Sequence, residues 1–569
     1  MVDLTFGPDR DLTSIHEARL LANKAIEAQT KLAEYSQEQV DILVNAMATA
    51  ATEQAQAVAQ MAVEETGYGI VADKVKKNLF ASQNIYEFIR PIKTVGVIRR
   101  LDDRKVIEIA EPFGVVAAVI PSTNPTSTAI YKILISIKAR CAIILSPHPS
   151  AIRCITQVAE VMADAARRAN APEGIISWMK TVTLEGTQEL MKQRNVAVIL
   201  ATGGMGLVRA AYSAGKPAYG VGPGNAPAYI ESSADISTAV RDIMAGKTFD
   251  NGLLCSSENS VVVDKEIADE VRSQFISQQA HFLSPTETSA LTKVLVTSDN
   301  VPNPQLVGRS ASKLAQQANI TVPDQTRVLI APLTGVGKNH PLSMEKLCPV
   351  LSFYTVRDWQ EACDRCKQIL KYGGMGHTMA IHSTNEKIIL EFGLKKPAFR
   401  VLVNTPTSHG SIGLTTGLDP SLTLGCGGYG GNITSDNITP RHLLNIKRLA
   451  YGIDSGKKNS DVFSSKTIPE VSLGSPSTLH SGHSLSLRIG EFLASRGYRK
   501  HSKTTPTSLT DAHRELMPEI AATPAEFVCE EDVRNAIKET RNIVINEQSI
   551  VTPAARDLAE QYNVFIQKE

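Results

Sequence analysis

The sequence predicts an α/β protein built on parallel sheets, because short apolar strands alternate with helical segments along most of the chain. Continuous β-prone runs, such as residues 114–120 and 141–145, are each followed by a helical pattern. Strands that are buried on both faces and separated by helices are typical of parallel sheets. The chain has 569 residues, which exceeds a single core, so two or three domains are expected.

Composition excludes several function classes. The 58 acidic and 59 basic residues nearly cancel, so no bulk charge indicates nucleic acid or an anionic membrane as a partner. No apolar run approaches the roughly 20 residues that span a bilayer, and residues 1–30 have no signal-peptide core. We therefore expect a cytoplasmic protein whose eight scattered cysteines are reduced.

Residues 94–110 predict a hairpin, since two β-prone runs flank a turn that contains Asp102 and Asp103. The edges of an exposed hairpin are unpaired and favour pairing with another subunit. This arm therefore indicates a homo-oligomer.

Three loops should meet at one edge of the first parallel sheet, because each follows a predicted strand. They are 121–125 (Pro-Ser-Thr-Asn-Pro), 146–149 (Ser-Pro-His-Pro) and 201–206 (Ala-Thr-Gly-Gly-Met-Gly). Ligands bind beyond the carboxyl ends of such strands. The glycines of the third loop let backbone amides approach a phosphate or nicotinamide, although a tight turn explains them equally well.

Cys255 is the candidate nucleophile. It follows the Asn251-Gly252 turn and precedes a β-prone run, so its thiol can face a cleft where neighbouring amide dipoles favour the thiolate. A buried structural cysteine is the alternative.

Cys363 and Cys366 have CxxC spacing without a second pair, and we expect them on one face of an amphipathic helix rather than at a metal.

The order of short motifs resembles the aldehyde dehydrogenase superfamily, and within it the CoA-acylating aldehyde dehydrogenases. These include the acetaldehyde and propionaldehyde dehydrogenases of bacterial microcompartments and the N-terminal half of aldehyde-alcohol dehydrogenase. The resemblance covers residues 1 to about 455 and rests on nine segments, which begin at Glu111, Pro121, Ser146, Ala201, Gly222, Phe249, Glu345, Gly376 and Asn445.

The resemblance implies a Rossmann-type dinucleotide-binding domain over 1–230, a catalytic α/β domain over 231–430 and a return segment over 431–456. It also implies roles for single residues. Cys255 attacks the aldehyde, and the Asn124 amide with the Cys255 N–H forms the oxyanion hole. Pro121, Thr202, Gly203 and Gly204 border the dinucleotide, and Glu345 binds the nicotinamide-side ribose.

Two departures from the family pattern are informative. Hydrolytic relatives carry a glutamate base where this chain has Val221, and no acid occurs between Lys216 and Glu231. Loss of a general base typically slows such a step by about 10²–10⁴-fold, so coenzyme A is the expected acyl acceptor. Ser146 replaces a lysine that contacts the adenosine ribose in many relatives, and His148 either faces that ribose or caps a turn. NAD is preferred over NADP, and His377 matches the acylating subgroup without an assigned step.

Beyond the resemblance we expect a linker over 457–525, rich in Ser, Thr, Pro and His, and a helical docking tail over 526–569. The tail is similar to short signatures that dock onto microcompartment shells or enzyme partners. It is too short for the iron alcohol dehydrogenase half of the bifunctional enzyme, so that second activity should be absent.

The sequence thus predicts NAD-linked, CoA-acylating oxidation of a short aldehyde such as acetaldehyde or propionaldehyde. A hydrolytic dehydrogenase with a base from elsewhere in the fold is the alternative, and a non-enzymatic scaffold is a third hypothesis.

Overall fold

The chain divides into two units, Met1–Lys458 and Asn459–Glu569, which are described separately. The computed structural model describes residues 9–453 and, in the second unit, residues 525, 527–539, 541–546, 549–562 and 564–567. Nearly all of the linker predicted over 457–525 lies outside the described residues. Across these ranges no helix has both the length and the apolar character needed to cross a membrane.

An N-terminal helical layer opens the first unit. It comprises α1 (Arg10–Ala33), α2 (Gln37–Glu53), α3 (Ala55–Thr66), α4 (Val71–Leu79) and α5 (Ile85–Ile89), with a π-helical stretch (Phe80–Asn84) between the last two. α1 packs its small alanine face against the first sheet, whereas α4 carries two buried lysines, Lys74 and Lys77.

The first sheet has five parallel strands in the order β5-β4-β3-β6-β7. Their bounds are β3 Val115–Ile120, β4 Ile143–Pro147, β5 Ile176–Trp178, β6 Val196–Thr202 and β7 Ala218–Val221. The strand order reverses between β3 and β6, and the loops at such a switch point diverge to leave a crevice. The helices that connect these strands are α6 (Pro125–Lys138), α7 (Ile152–Arg168), α8 (Leu184–Lys192) and α9 (Met205–Tyr212).

The second sheet has seven parallel strands in the order β10-β11-β12-β9-β8-β13-β14. Their bounds are β8 Ala226–Ile230, β9 Glu258–Asp264, β10 Ala280–Phe282, β11 Val328–Pro332, β12 Val350–Val356, β13 Gly376–His382 and β14 Ala398–Val403. The prediction of parallel α/β sheets is confirmed. The predicted domain boundary at 230 needs correction, because the fully buried β8 pairs with β9 and β13 of the second sheet.

The helices that cover the second sheet are α10 (Ile236–Thr248), α11 (Ala268–Ser277), α12 (Pro285–Leu295), α13 (Ala311–Gln317), α14 (Trp359–Gly373), α15 (Glu386–Lys395) and the short α16 (Thr407–Gly410). Cys363 and Cys366 both lie on the buried face of α14, as the amphipathic pattern predicts. The Cys363 thiol is in contact with the Lys396 ammonium. Both cysteines are therefore packing residues of this layer.

The predicted hairpin is present as β1 (Gly96–Leu101) and β2 (Val106–Pro112), which pair antiparallel. The return segment adds β15 (Leu444–Ala450) to the other side of β2. The sheet order β1-β2-β15 leaves β1 and β15 as edges, and β1 has no buried residue. The arm thus has the unpaired edges that the sequence predicts.

The second unit repeats a strand-helix-strand pattern. The first copy has β16 (Phe527–Val528), a helix over Glu530–Lys538 and β17 (Ile543–Ile545). The second has β18 (Ile550–Val551), a helix over Pro553–Tyr562 and β19 (Phe565–Gln567). β16 pairs parallel with β18, and β17 with β19. The two helices predicted for the tail are present, and β-branched residues after each helix also pair into strands, which the sequence did not predict and which help to form one shared core.

Candidate active site

A cavity of about 460 Å³ lies at the carboxyl ends of β3 and β6, where the strand order of the first sheet reverses. Every site residue predicted from the sequence lines it: Pro121, Asn124, Ser146, His148, Thr202, Gly203, Gly204, Cys255 and Glu345. The residues come from both sheets, so the cavity lies between the two predicted domains. A cleft of this size can hold a ligand with several rings.

The loop before Cys255 is shaped by three consecutive residues in the left-handed region. Asp250, Asn251 and Gly252 have φ angles of 49°, 54° and 72°. Asp, Asn and Gly tolerate this region better than other residues, so the short sequence Asp-Asn-Gly itself specifies the sharp turn after α10. The turn leaves Cys255 partly exposed at the cavity wall while its neighbours on both sides are buried.

The environment of Cys255 favours the thiol. Burial raises the pKa of Cys255 to about 12, and the Glu345 carboxylate adds to that shift. The Arg400 guanidinium and the backbone N–H of Cys255 lower the pKa, but they do not outweigh burial. Burial thus opposes the thiolate that the neighbouring N–H favours, because the loss of water destabilises the anion more than one N–H stabilises it.

Asn124 sits at the N-cap of α6, directly before Pro125. Its Oδ1 accepts a hydrogen bond of 2.5 Å from Lys77 Nζ. Its Nδ2 has only long contacts, 3.2 Å to Thr123 Oγ1 and 3.4 Å to the Leu253 carbonyl. The amide N–H groups consequently remain available to an oxygen in the cavity.

Buried charges behind Asn124 form a group that the sequence did not indicate. The Asp250 carboxylate contacts both Lys74 and Lys77, and all three side chains are almost fully buried. Burial lowers the pKa of Lys77 to about 8, although Asp250 opposes that shift. In the sequence, Lys74 and Lys77 look like residues of an ordinary solvent-exposed helix face. Only their contact with Asp250, in a loop far away in sequence, shows that they belong to the site.

The strand-to-helix loop after β6 has the features of a dinucleotide site. Thr202 Oγ1 is buried and has no hydrogen-bond partner among the described residues. Gly204 is the N-cap of α9, and a Cβ added there would meet no protein atom within 4 Å. A free hydroxyl and an open helix N-terminus fit the phosphates and ribose of a dinucleotide.

Ser146 and His148 also line the cavity. Ser146 Oγ is 2.8 Å from Thr187 Oγ1 and is fully buried. His148 Nδ1 accepts from the Ser150 N–H at 3.2 Å and lies 2.8 Å from Ser150 Oγ. His148 therefore caps a turn, as one of the two alternatives predicted, and its ring also borders the cavity.

Glu345 contributes a carboxylate to the lining of the cavity. Its Oε1 accepts a 2.8 Å hydrogen bond from the Gly224 N–H. Burial raises the pKa of Glu345 to about 8, while Gly224, Lys247 and Lys346 pull it down. An acid with this pKa changes protonation close to neutral pH, so Glu345 can act as a hydrogen-bond acceptor or as a base.

Val221 and the Gly222–Asn225 segment lie beside Cys255. Val221 and Gly222 line the cavity, and Val221 offers no group that can remove a proton. A Cβ on Gly224 would lie 2.2 Å from the Cys255 carbonyl oxygen and 3.2 Å from Cγ of His377. This segment therefore packs directly on the Cys255 loop without supplying a base.

His377 and Arg400 lie behind the same loop. Burial, assisted by Arg400, lowers the pKa of His377 to about 3. His377 is thus a neutral imidazole whose Nδ1 is 2.9 Å from Thr378 Oγ1 and whose Nε2 has no partner among the described residues. Arg400 is 3 % exposed and donates to neutral oxygens, among them the Gly425 and Ser435 carbonyls. The sequence analysis did not identify Arg400.

Comparisons with known proteins agree with this geometry. The aldehyde dehydrogenase family matches residues 11–423. The chain is 42% identical over 444 residues to the bifunctional aldehyde-alcohol dehydrogenase AdhE of Escherichia coli K12, covering 77% of this chain and 50% of that protein. The chain thus spans about half the length of that relative.

Two solved structures are also similar. An acetylating aldehyde dehydrogenase from Geobacillus thermoglucosidasius is 49% identical with a TM-score of 0.77, over 79% of this chain and 99% of that chain. A propionaldehyde dehydrogenase from the fucose utilisation microcompartment of Clostridium phytofermentans is 27% identical with a TM-score of 0.69, over 76% and 96% of the two chains. These matches cover the unit that holds the cavity.

Proposed function

The chain belongs to the aldehyde dehydrogenase family, and we propose that it oxidises a short aldehyde to an acyl-coenzyme A with NAD as the hydride acceptor. Acetaldehyde and propionaldehyde are the substrates we favour. The observation that carries the proposal is Val221. A nucleophilic cysteine and an amide donor face one cavity, yet the position of the hydrolytic base holds an apolar side chain.

The first chemical step belongs to Cys255. Its thiolate attacks the aldehyde carbonyl carbon, and the carbonyl oxygen becomes an anion. The Asn124 Nδ2 and the Cys255 backbone N–H donate hydrogen bonds to that oxygen. Because the resting thiol has a raised pKa, its proton passes to water in the cavity before the thiolate attacks.

NAD fits the residues beside the nucleophile, and when bound it supplies the acceptor for the aldehyde hydride. Thr202 Oγ1, Gly203 and Gly204 hold the dinucleotide, Ser146 and His148 border its adenosine end, and Glu345 accepts from the ribose. The unpartnered Thr202 hydroxyl and the open space at Gly204 support this assignment.

The acyl group then remains on Cys255 as a thioester, and the choice of acceptor decides the product. Water needs a base to attack a thioester at a useful rate, whereas a thiol is intrinsically more nucleophilic and depends less on one. With Val221 at the position of the base, coenzyme A becomes the acceptor. The coenzyme A thiolate attacks the thioester carbonyl, the bond to Cys255 Sγ breaks, Cys255 leaves as the thiolate, and the product is the acyl-coenzyme A.

Glu345 supports a second candidate function, oxidation to the free acid. Its carboxylate lines the cavity, raises the pKa of Cys255 and has a pKa of about 8 itself. Such a group can activate water. We favour the ribose role because the Gly224 N–H donates to Oε1 and lowers the pKa of Glu345, which makes the carboxylate a weaker base.

One assay separates the two. Purified protein with NAD and acetaldehyde or propionaldehyde should form NADH continuously only when coenzyme A is present, and acetyl- or propionyl-coenzyme A should accumulate. Sustained NADH formation with free acid and no coenzyme A would establish the hydrolytic function. A protein that binds NAD but forms no NADH with either acceptor would support a scaffold role.

The hairpin arm and the second unit lead to proposals about assembly. The open edges of β1 and β15 favour a homo-oligomer, because unpaired strand edges tend to be covered. The second unit has its own apolar core, and we propose that it is a docking module for a microcompartment shell or a neighbouring enzyme. We place the protein in the cytoplasm and within it, through this module, in a microcompartment.

A further inference from the structure

Lys77 links the oxyanion residue to the nucleophile loop. It lies on α4, in the N-terminal helical layer, and its Nζ contacts two groups that are far away in sequence. One is Oδ1 of Asn124 at 2.5 Å, and the other is the Asp250 carboxylate. Asn124 opens α6, whereas Asp250 lies five residues before Cys255, so one ammonium joins both parts of the proposed catalytic machinery.

The contact with Lys77 determines which way the Asn124 amide faces. An ammonium group has hydrogen-bond donors only, so it must face the amide oxygen. Turning the amide by 180° would place its NH₂ group against the ammonium and lose the 2.5 Å hydrogen bond. The NH₂ group is therefore held on the side of the Leu253 carbonyl, in the loop that carries Cys255.

Asp250 in turn fixes Lys77. Its Oδ1 accepts from the Ile70 N–H at 2.7 Å, and its Oδ2 contacts Lys74 at 3.1 Å as well as Lys77. The space around the carboxylate is filled, since a Cβ on Gly69 would lie 2.0 Å from Oδ1. Two buried ammonium groups and one carboxylate leave little freedom for any of the three.

We propose that Lys77 is a positioning residue which, anchored by Asp250, holds the Asn124 amide with its NH₂ group directed at the aldehyde oxygen. An oxyanion hole stabilises the transition state only when its donors are already oriented. Without Lys77 the Asn124 amide can rotate, and half of its orientations present an oxygen to an anion. This inference rests on the proposed aldehyde oxidation.

Lys74 provides a matched control. It is buried like Lys77, lies on the same helix and contacts the same Asp250 oxygen. It differs in its second partner, which is the Thr123 carbonyl at 3.0 Å rather than the Asn124 amide. Loss of either lysine removes a buried ion pair, but only loss of Lys77 frees the amide.

A double-mutant cycle on NADH formation tests the proposal in the full chain. Asn124→Ala should lower kcat by about 10²–10³-fold, as for loss of one oxyanion donor. Lys77→Met should lower kcat by on the order of tenfold with little change in the KM for NAD, and the double variant should be no slower than Asn124→Ala alone. Lys74→Met should instead act independently of Asn124→Ala, so that their effects multiply.

Two outcomes would overturn the proposal. In the first, kcat of the double variant is lower than kcat of Asn124→Ala by the same factor by which Lys77→Met alone lowers it. In the second, Lys74→Met shows the same coupling to Asn124→Ala as Lys77→Met does. If Lys77→Met does not fold, Lys77→Gln replaces it in the same cycle under the same criterion. If the wild-type protein forms no NADH, the proposed function itself is refuted. If the enzyme is active but the effects of Lys77→Met and Asn124→Ala are additive, only the role of Lys77 is refuted.

Discussion

Gly224 and Cys255 are packed so closely that a single added methyl group would lie 2.2 Å from the Cys255 carbonyl oxygen. The contact joins the Val221–Asn225 segment to the loop that carries Cys255. The absence of a side chain at 224 thus sets the position of Cys255, and the same glycine donates its N–H to Glu345.

Gly224→Ala should therefore inactivate the enzyme by displacing Cys255, with at least a hundredfold loss of coenzyme A-dependent NADH formation. Backbone atoms are the nearest neighbours of the new methyl group, so no side chain can move aside. Gly393→Ala is the matched control, because a Cβ there meets no protein atom and alanine stabilises a helix relative to glycine. Normal turnover in Gly224→Ala would show that the Cys255 loop shifts without loss of function.

Cys255→Ala should abolish turnover while NAD still binds, since only the covalent step is lost. NAD binding followed by fluorescence or calorimetry, together with the thermal unfolding temperature, verifies that the fold is retained. Wild-type-like turnover would remove Cys255 from the mechanism.

The rate of Cys255 alkylation should rise steadily with pH. Only the thiolate reacts, and its pKa is raised to about 12, so the rate with iodoacetamide should increase about tenfold per pH unit between pH 7 and 9. Cys255 and Cys529 are the cysteines that are not buried, and mass spectrometry of their peptides separates them. A plateau below pH 9 would contradict the raised pKa.

Arg400→Met should slow this alkylation further at any fixed pH. Arg400 is the cation that lowers the Cys255 pKa, although Asp436 and Cys426 also act on its charge. Arg400→Lys, which keeps the charge, should recover part of the rate. Equal rates in the wild type and Arg400→Met would show that the guanidinium has only a structural role.

Glu345→Gln separates the ribose role from the role of a base. As a ribose ligand, Glu345 should affect NAD, so the KM for NAD should rise on the order of tenfold, the usual effect of weakening one charged hydrogen bond. The ratio of acyl-coenzyme A to free acid should stay unchanged. Loss of free acid formation with an unchanged KM would assign Glu345 to water activation.

Truncation after residue 457 should leave a soluble, active enzyme, because the cavity and both large sheets lie in the first unit. Attachment to a shell or neighbouring enzyme should be lost. Residues 520–569 fused to a fluorescent protein provide the test in a host that makes microcompartments, with Ala559→Asp as the control that disrupts the tail core. Diffuse fluorescence of the intact fusion would refute targeting, and an inactive truncated enzyme would make the tail part of the catalytic fold.

The sequence by itself determined the parallel sheets, the turn that carries Cys255 and the predicted residues that line the cavity. Each depends on local chemistry: apolar runs of strand length, glycines at a strand-to-helix turn, and an Asp-Asn-Gly turn that holds three left-handed residues. The positions of these loops followed as well, since the carboxyl ends of parallel strands meet at one edge.

Only the tertiary structure decided which charges lie behind the site and which state the thiol adopts. Lys77 and Asp250 are separated by 173 residues, and nothing in either local sequence indicates the other. The thiol pKa depends on how much water the assembled domains exclude, which no turn motif encodes. Likewise β8 joined the second sheet and the tail gained strands because their pairing partners lie elsewhere in the chain.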